Sequence, residues 1–200
     1  LFPRSLIPWS SAPDCNMKHH SQQGFSLIEM IVVTVAVGII GSLAASMLFQ
    51  GADIYVDETK RQGFISEARS AFWRLQRDTQ SQARPQDFAQ SEADIVYVTN
   101  AAGEQKNYQL GSNGSFTLGK NSTSYTLSSA AQYSNSTFQF YNSSYTAISP
   151  ASGGMTPLEA TAVHLAKLTI AFTADEDDIT LSTWVFPENF RFGTKMSYHE

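Results

Sequence analysis

Gly24, Phe25 and Glu29 are the residues whose types and spacing pose the sharpest chemical question in this chain. Directly after Glu29 come twenty residues, Met30–Phe49, without a charge. As a helix that run is about 30 Å long at ~1.5 Å per residue, enough to cross a bilayer. A carboxylate at the head of a membrane span is costly and needs a reason, normally a partner of opposite charge. Gly24 stands five residues before that carboxylate.

Other residues are weaker candidates. Asp175–Asp178 is an acidic run of hard oxygens that could take Ca²⁺, but it lacks the spacing and the glycine of an EF-hand loop and reads as a solvated hairpin tip. His164 and His199 are isolated, which suits a core-edge or surface role better than catalysis. The serines are abundant but form no G-x-S-x-G elbow. Tyr133, Phe138, Phe140, Tyr141 and Tyr145 could line an adhesive groove, with core and sheet packing as the default. Trp184 is assigned to the sheet, and Trp73 sits on a helix facing the domain. No catalytic constellation, metal site or cofactor motif emerges, and the chain does not read as an enzyme.

Composition narrows the classes. The net charge is −5 and no Lys/Arg cluster follows the apolar run, so nucleic acid is not an expected partner. Cys15 is the only cysteine and precedes the span. A domain after the span therefore has no internal disulfide and must pack its core against something, for which a long helix is the available candidate. Residues 1–16 lack periodicity and hold three prolines; the expectation is that translation begins at Met17 and that 1–16 is an upstream over-extension, against the alternative of a real N-terminal tail.

The elements that position these residues follow from pattern. No proline occurs between Phe25 and Arg84. After Gly51 the sequence turns amphipathic, with Ile54, Glu58, Arg61, Ile65, Ala68, Phe72, Leu75 and Thr79 spaced by three and four, apolar from Ile65 to Leu75. Pro85 disfavours helix at Arg84, so the helix should end near Ala83, giving about 58 residues and about 87 Å. From residue 91 the signals become β: Ile95–Thr99, a turn at Ala102-Gly103, then Asn107–Leu110. Short candidates follow at Ser115–Leu118, Ser124–Leu127 and Thr137–Tyr141. Ser149–Pro157 reads as a loop, and Val163–Thr173 and Ile179–Phe186 pair across the Asp175–Asp178 turn. In Val163–Thr173 the apolar face is His164, Ala166, Leu168, Ile170 and Phe172. The fold class is α+β, a long N-terminal helix packed on an antiparallel sheet. The segments are 1–24, an upstream extension and leader; 25–50, the membrane half of the helix; 51–84, its amphipathic half; and 85–200, a β-rich domain.

Gly24-Phe25-Ser26-Leu27-Ile28-Glu29, after the basic leader Met17–His20 and before the apolar run, resembles the processing site of type IV pilins and type II secretion pseudopilins. Gln62–Pro85, the Ile95–Leu110 hairpin and the Asp178–Pro187 strand more loosely resemble MSHA-type minor pilins and J-type pseudopilins. The resemblance implies a pilin-like fold and a prepilin peptidase that cuts after Gly24, where the lack of a Cβ suits a close-fitting scissile site. The same peptidase would then N-methylate Phe25. It implies that Glu29 offsets the new amine of a neighbouring subunit during assembly. It further implies an inner-membrane protein, N-terminus cytoplasmic and C-terminal domain periplasmic, that joins a pilus or pseudopilus with other pilin or pseudopilin subunits. Charge agrees weakly with that orientation: Lys18 precedes the span, while Asp53, Asp57 and Glu58 follow it. Major pilins of the family usually carry a proline late in the apolar helix and often a C-terminal disulfide. This chain has neither, which points to a minor component. The alternatives are a J-type secretion pseudopilin and a pilus-displayed adhesin. A secretory signal, with Lys18 as its basic region and a cut after Ser42-Leu43-Ala44, fits less well, because Glu29 heads the span and the apolar run passes Ala44. A plain membrane anchor is the remaining alternative.

Overall fold

The computed structural model describes residues 24–150, 153–175 and 177–191. Backbone contacts divide the chain into two units, Leu1–Ala52 and Asp53–Glu200. Helix α1, Leu27–Gln80, contributes to both.

In the first unit every described residue is exposed. Its helix is long and apolar enough to cross a membrane, and none of the most apolar window is buried. A helix apolar on all sides with nothing packed on it satisfies its backbone internally and leaves its side chains for lipid or for other helices.

The second unit is an α+β domain with two four-stranded antiparallel sheets, where the sequence suggested one. The first sheet is a meander of β1 (Ile95–Thr99), β2 (Gln105–Leu110), β3 (Phe116–Lys120) and β4 (Thr123–Ser128), each paired with the next. Alternation drives it: Val96, Val98, Tyr108, Leu110, Phe116 and Leu118 point inward and are buried. Asn121 and Ser122, both at positive φ, join β3 to β4 across the Lys120–Thr123 pair. That left-handed pair makes a two-residue turn whose twist matches the strands.

The second sheet runs in the order β6–β5–β7–β8, built from β5 (Ala131–Tyr141), β6 (Ala147–Ile148), β7 (Leu165–Ala174) and β8 (Asp177–Val185). The short helix α2, Pro157–Thr161, precedes β7. The expected inward face of β7 is found: Ala166, Leu168, Ile170 and Phe172 are fully buried, while His164 lies just before the strand. β5 bulges between Gln132 and Thr137. Ser136 repairs the ladder there, its Oγ donating to Gln132 O at 2.6 Å and accepting from Ala171 N at 2.9 Å.

Both sheets and α1 share one core, to which the helix brings Ala68, Ala71, Phe72 and Leu75. The apolar face predicted for Ile65–Leu75 is packed from Ala68 to Leu75, whereas Ile65 is half-buried outside the core and Ile54, Glu58 and Arg61 are exposed. Trp73 does not face the domain: it is 64% exposed, because one step of ~100° from buried Phe72 turns it outward. The helix also stops earlier than expected. Gln82 N turns back to Thr79 O, and Ala83 N donates to Thr99 O on β1 at 2.8 Å. Pro85 then opens a 3-10 turn, Pro85–Phe88, that buries Phe88. The helix end is set by capture on the sheet as much as by the proline.

Candidate functional site

Gly24, Phe25 and Ser26 lie before α1 in non-helical backbone. Ser26 starts the helix. Its carbonyl accepts from Glu29 N at 3.1 Å and from Met30 N at 3.2 Å, and its Oγ accepts from Glu29 N at 3.3 Å. Ser26 thus satisfies an otherwise orphaned N–H of the first turn. Ser-x-x-Glu is a helix-start signature, and Glu29 is the acidic residue of that first turn, where the helix dipole favours negative charge. This second role of Glu29 was readable from the sequence as a capping signal, but the membrane question obscured it.

A side chain built at Gly24 would meet nothing within 4 Å. The fold itself makes no steric demand for glycine there, in contrast with Gly154, where a Cβ would stand 2.6 Å from Gln90 O. Phe25 is 74% exposed. Among the described residues no ion pair reaches Glu29, which leaves its carboxylate available to a partner.

The remaining candidates are dispersed. Phe138 and Phe140 point into the core, Tyr133 and Tyr145 are exposed, and Tyr141 packs on Trp184 with ring centroids 4.9 Å apart. Alternation along β5 separates Tyr133, Phe138, Phe140 and Tyr141, and Tyr145 lies in the turn beyond the strand, so these five residues line no common groove. Trp184 lies in β8 as expected, with Lys167 Nζ 5.4 Å from its ring centre. His164 packs edge-on against Phe186 at 4.8 Å. The acidic run splits: Asp175 turns at positive φ, while Asp177 and Asp178 belong to β8. Asp177 pairs with Arg61 at 3.1 Å, and Asp178 accepts from Thr173 Oγ1 at 2.7 Å. Among the described residues no group of three or more His, Cys, Asp or Glu could hold a metal. Cys15, Met17–His20, Glu176 and His199 lie outside the described residues.

One buried polar cluster escaped the sequence reading. Asp78, 8% exposed, accepts from Lys106 Nζ at 2.8 Å and from Tyr108 OH at 2.7 Å. Burial pushes the Asp78 carboxyl upward. The hydrogen bonds from Lys106 and Tyr108, with the attraction of Lys106 and Arg77, outweigh burial and hold it below the ordinary value. Burial, then Asp78 itself, pushes the Tyr108 hydroxyl upward, so it remains a donor. The cluster ties the end of α1 to β2. Its only sequence signal was an acidic residue beside the apolar face.

Residues 19–45 match the family model described as the prokaryotic N-terminal methylation motif. The match takes in the Gly24–Glu29 head and the first part of α1. Together with the long apolar N-terminal helix, it supports a type IV pilin-like family, processed as a prepilin. No curated protein and no solved structure matches the chain.

Proposed function

We propose that this chain is a prepilin-type precursor, cut after Gly24 by a prepilin peptidase and N-methylated on Phe25. The mature form is a minor pilin or pseudopilin, a structural subunit and not an enzyme. One observation carries the reading: a methylation motif whose glycine the fold itself does not require, set before a helical run, Met30–Phe49, that is free of charge and that nothing in its own unit covers.

The steps follow from chemistry. Hydrolysis of the Gly24–Phe25 peptide bond creates an α-amino group on Phe25, cationic at neutral pH. Glu29 of a neighbouring subunit offsets that charge when apolar helices pack side by side, and so fixes the register between subunits. Before assembly, segment 25–50 holds the chain in the inner membrane with its N-terminus cytoplasmic. Residues 51–84 and 85–200 form the periplasmic part. Partners are the peptidase, the inner membrane and other pilin-type subunits.

The test is the mass of the mature N-terminus, from cells with and without a prepilin peptidase. A methylated Phe25 terminus, dependent on the peptidase, supports the reading. An Ala45 terminus would instead indicate a secretory signal, and an uncut chain a plain anchor; either sinks the proposal.

A further inference from the structure

The outward face of the first sheet carries a shallow cavity of about 320 Å³. Register lays out its floor. Tyr97, Asn107, Gly119 and Ser124 are paired directly across β1, β2, β3 and β4, so they form one row on one face. Buried Val96, Val98, Tyr108 and Leu118 take the opposite face, which puts the row outward. Gly119 makes the dent: a Cβ built there would run into the Asn107 side chain, so its absence lets the Asn107 carboxamide lie down over β3. Gln105 and Gln109 stand two residues either side of Asn107 on the same face of β2, and the Asn121-Ser122 turn borders the cavity.

The chemistry of this lining is uniform. It offers carboxamides, hydroxyls and one half-buried ring, Tyr97, and no carboxylate. Among the described residues, no hydrogen bond engages the side chains of Tyr97, Gln105, Asn107, Gln109 or Ser124. Two cations border the cavity, but their own chain neutralises both: Lys106 pairs with Asp78 at 2.8 Å and Lys120 with Glu104 at 2.5 Å. Lys106 and Lys120 are also direct cross-strand partners, one position off the outward row, so they belong to the other face. A sheet face left only to water ordinarily intersperses charges of both signs. The outward positions of these four strands carry none.

A carboxamide presents a donor and an acceptor side by side, and a hydroxyl is both at once. Such a set matches a ligand whose own groups are uncharged and both donate and accept, as neighbouring hydroxyls of a sugar do. An anionic ligand such as nucleic acid would find no free cation. An apolar ligand would strip water from the carboxamides without replacing its hydrogen bonds. The Tyr97 ring adds an apolar surface for the C–H face of a sugar. The volume lies at the low end of the roughly 300–1,000 Å³ of ligand pockets, which suits a short saccharide and not a folded partner. We propose that the outward face of the first sheet binds a neutral oligosaccharide, with Asn107 and Gln109 bonding its hydroxyls and Tyr97 packing on a ring. Recognition then lies on β1–β4 and not on the aromatic residues of β5. The inference does not rest on processing at Gly24.

The test uses the full chain in a detergent without a sugar headgroup. It is applied to a printed array of neutral oligosaccharides built from hexose and N-acetylhexosamine units, with sialylated oligosaccharides, heparin fragments and short peptides on the same slide. Neutral oligosaccharides should be retained, and the same saccharides free in solution should compete. Asn107→Ala and Gln109→Ala should each weaken binding roughly tenfold, as loss of a hydrogen-bonding carboxamide implies. Trp184→Ala, on the second sheet, should bind as the parent does. Retention of no neutral oligosaccharide overturns the proposal, and so does preference for the charged glycans or the peptides. Parental binding by Gln109→Ala also overturns it. Gln109 is exposed, so that variant keeps the fold even if Asn107→Ala does not.

Discussion

Replacing Asp78 with alanine tests whether the tie between α1 and β2 is energetically important. The substitution removes the acceptor of two donors at once. Tyr108 is fully buried, so its hydroxyl keeps a desolvated proton with no partner, a loss of ~1–3 kcal/mol. The Lys106 side chain is 17% exposed and can recover part of its hydration. Its share therefore falls short of the ~3–5 kcal/mol for breaking a fully buried pair. The sum is about 3 kcal/mol, or a Tm lower by roughly 6–12 °C for a domain of this size. Asp78→Asn keeps an acceptor for Tyr108 and loses only the charge, so it should cost about 1–2 kcal/mol. The pH dependence has a definite sign. The folded Asp78 carboxyl titrates below its usual 3.8, so its contribution is complete above that value and disappears as pH falls through the folded pKa. Acid unfolding of the full chain in detergent, followed by near-UV circular dichroism, should be shallower in Asp78→Asn than in the parent. An Asp78→Ala variant that loses less than ~1 kcal/mol in urea would refute the reasoning, because it would mean the cluster is already solvated.

Three further outcomes are expected. Gly154→Ala should destabilise by at least ~2 kcal/mol, since Gly154 sits at φ +94° with Gln90 O 2.6 Å from the added Cβ; urea unfolding measures it. Thr156→Ala removes the acceptor of Glu159 N from the capping box of α2 and should cost about 1 kcal/mol, a Tm shift of roughly 2–4 °C by thermal melting. Glu29→Ala should be cleaved after Gly24 at the parental rate but enter filaments at least ~100-fold less, given ~3–5 kcal/mol for an unpaired buried charge; immunoblots of precursor, mature chain and sheared filaments read both steps.

What the sequence revealed depended on how local the signal was. The β7 face was legible because Ala166, Leu168, Ile170 and Phe172 alternate without interruption, and Ile95–Thr99 because β-branched residues crowd it. The packed stripe of α1 was legible from its spacing down to Phe72 and Leu75. The partition into two sheets was not, because strand order is decided by long-range pairing that no short window encodes. The β3–β4 turn uses Asn121-Ser122 in place of the familiar Asn-Gly, so its left-handed pair was hidden inside a Ser/Asn-rich stretch. Trp73 was misplaced because it is adjacent to Phe72, and one residue on a helix turns by ~100°. Asp78 was missed because a lone acid beside an apolar stripe gives no hint that Lys106 and Tyr108, 28 and 30 residues on, converge on it. At the N-terminal head the position was different: Gly24, Phe25 and Glu29 are informative as letters, while the coordinates add chiefly that nothing in the fold requires the glycine.

Two explanations of Glu29 remain to be separated. As the third residue of a helix begun by Ser26, its carboxylate gains from the dipole, a benefit of about 0.3–1 kcal/mol at an exposed helix end, while its backbone N–H is held by Ser26 Oγ. Ser26 lies after the proposed cut, so the Ser26–Glu29 helix start is kept in the mature chain. It is therefore separate from the pairing between subunits that the proposed processing invokes. Glutamine satisfies the same capping signature without a charge. A chain selected for helix initiation alone would have little reason to place an ionised group at the head of a charge-free run, where each step toward lipid raises its cost. Under the proposed processing, the α-amino group of Phe25 in a neighbouring subunit would supply a cation for that charge as the apolar helix leaves lipid for a bundle. Glu29→Gln would then preserve the helix start and lose the pairing, so the cap and the charge are separable in one substitution.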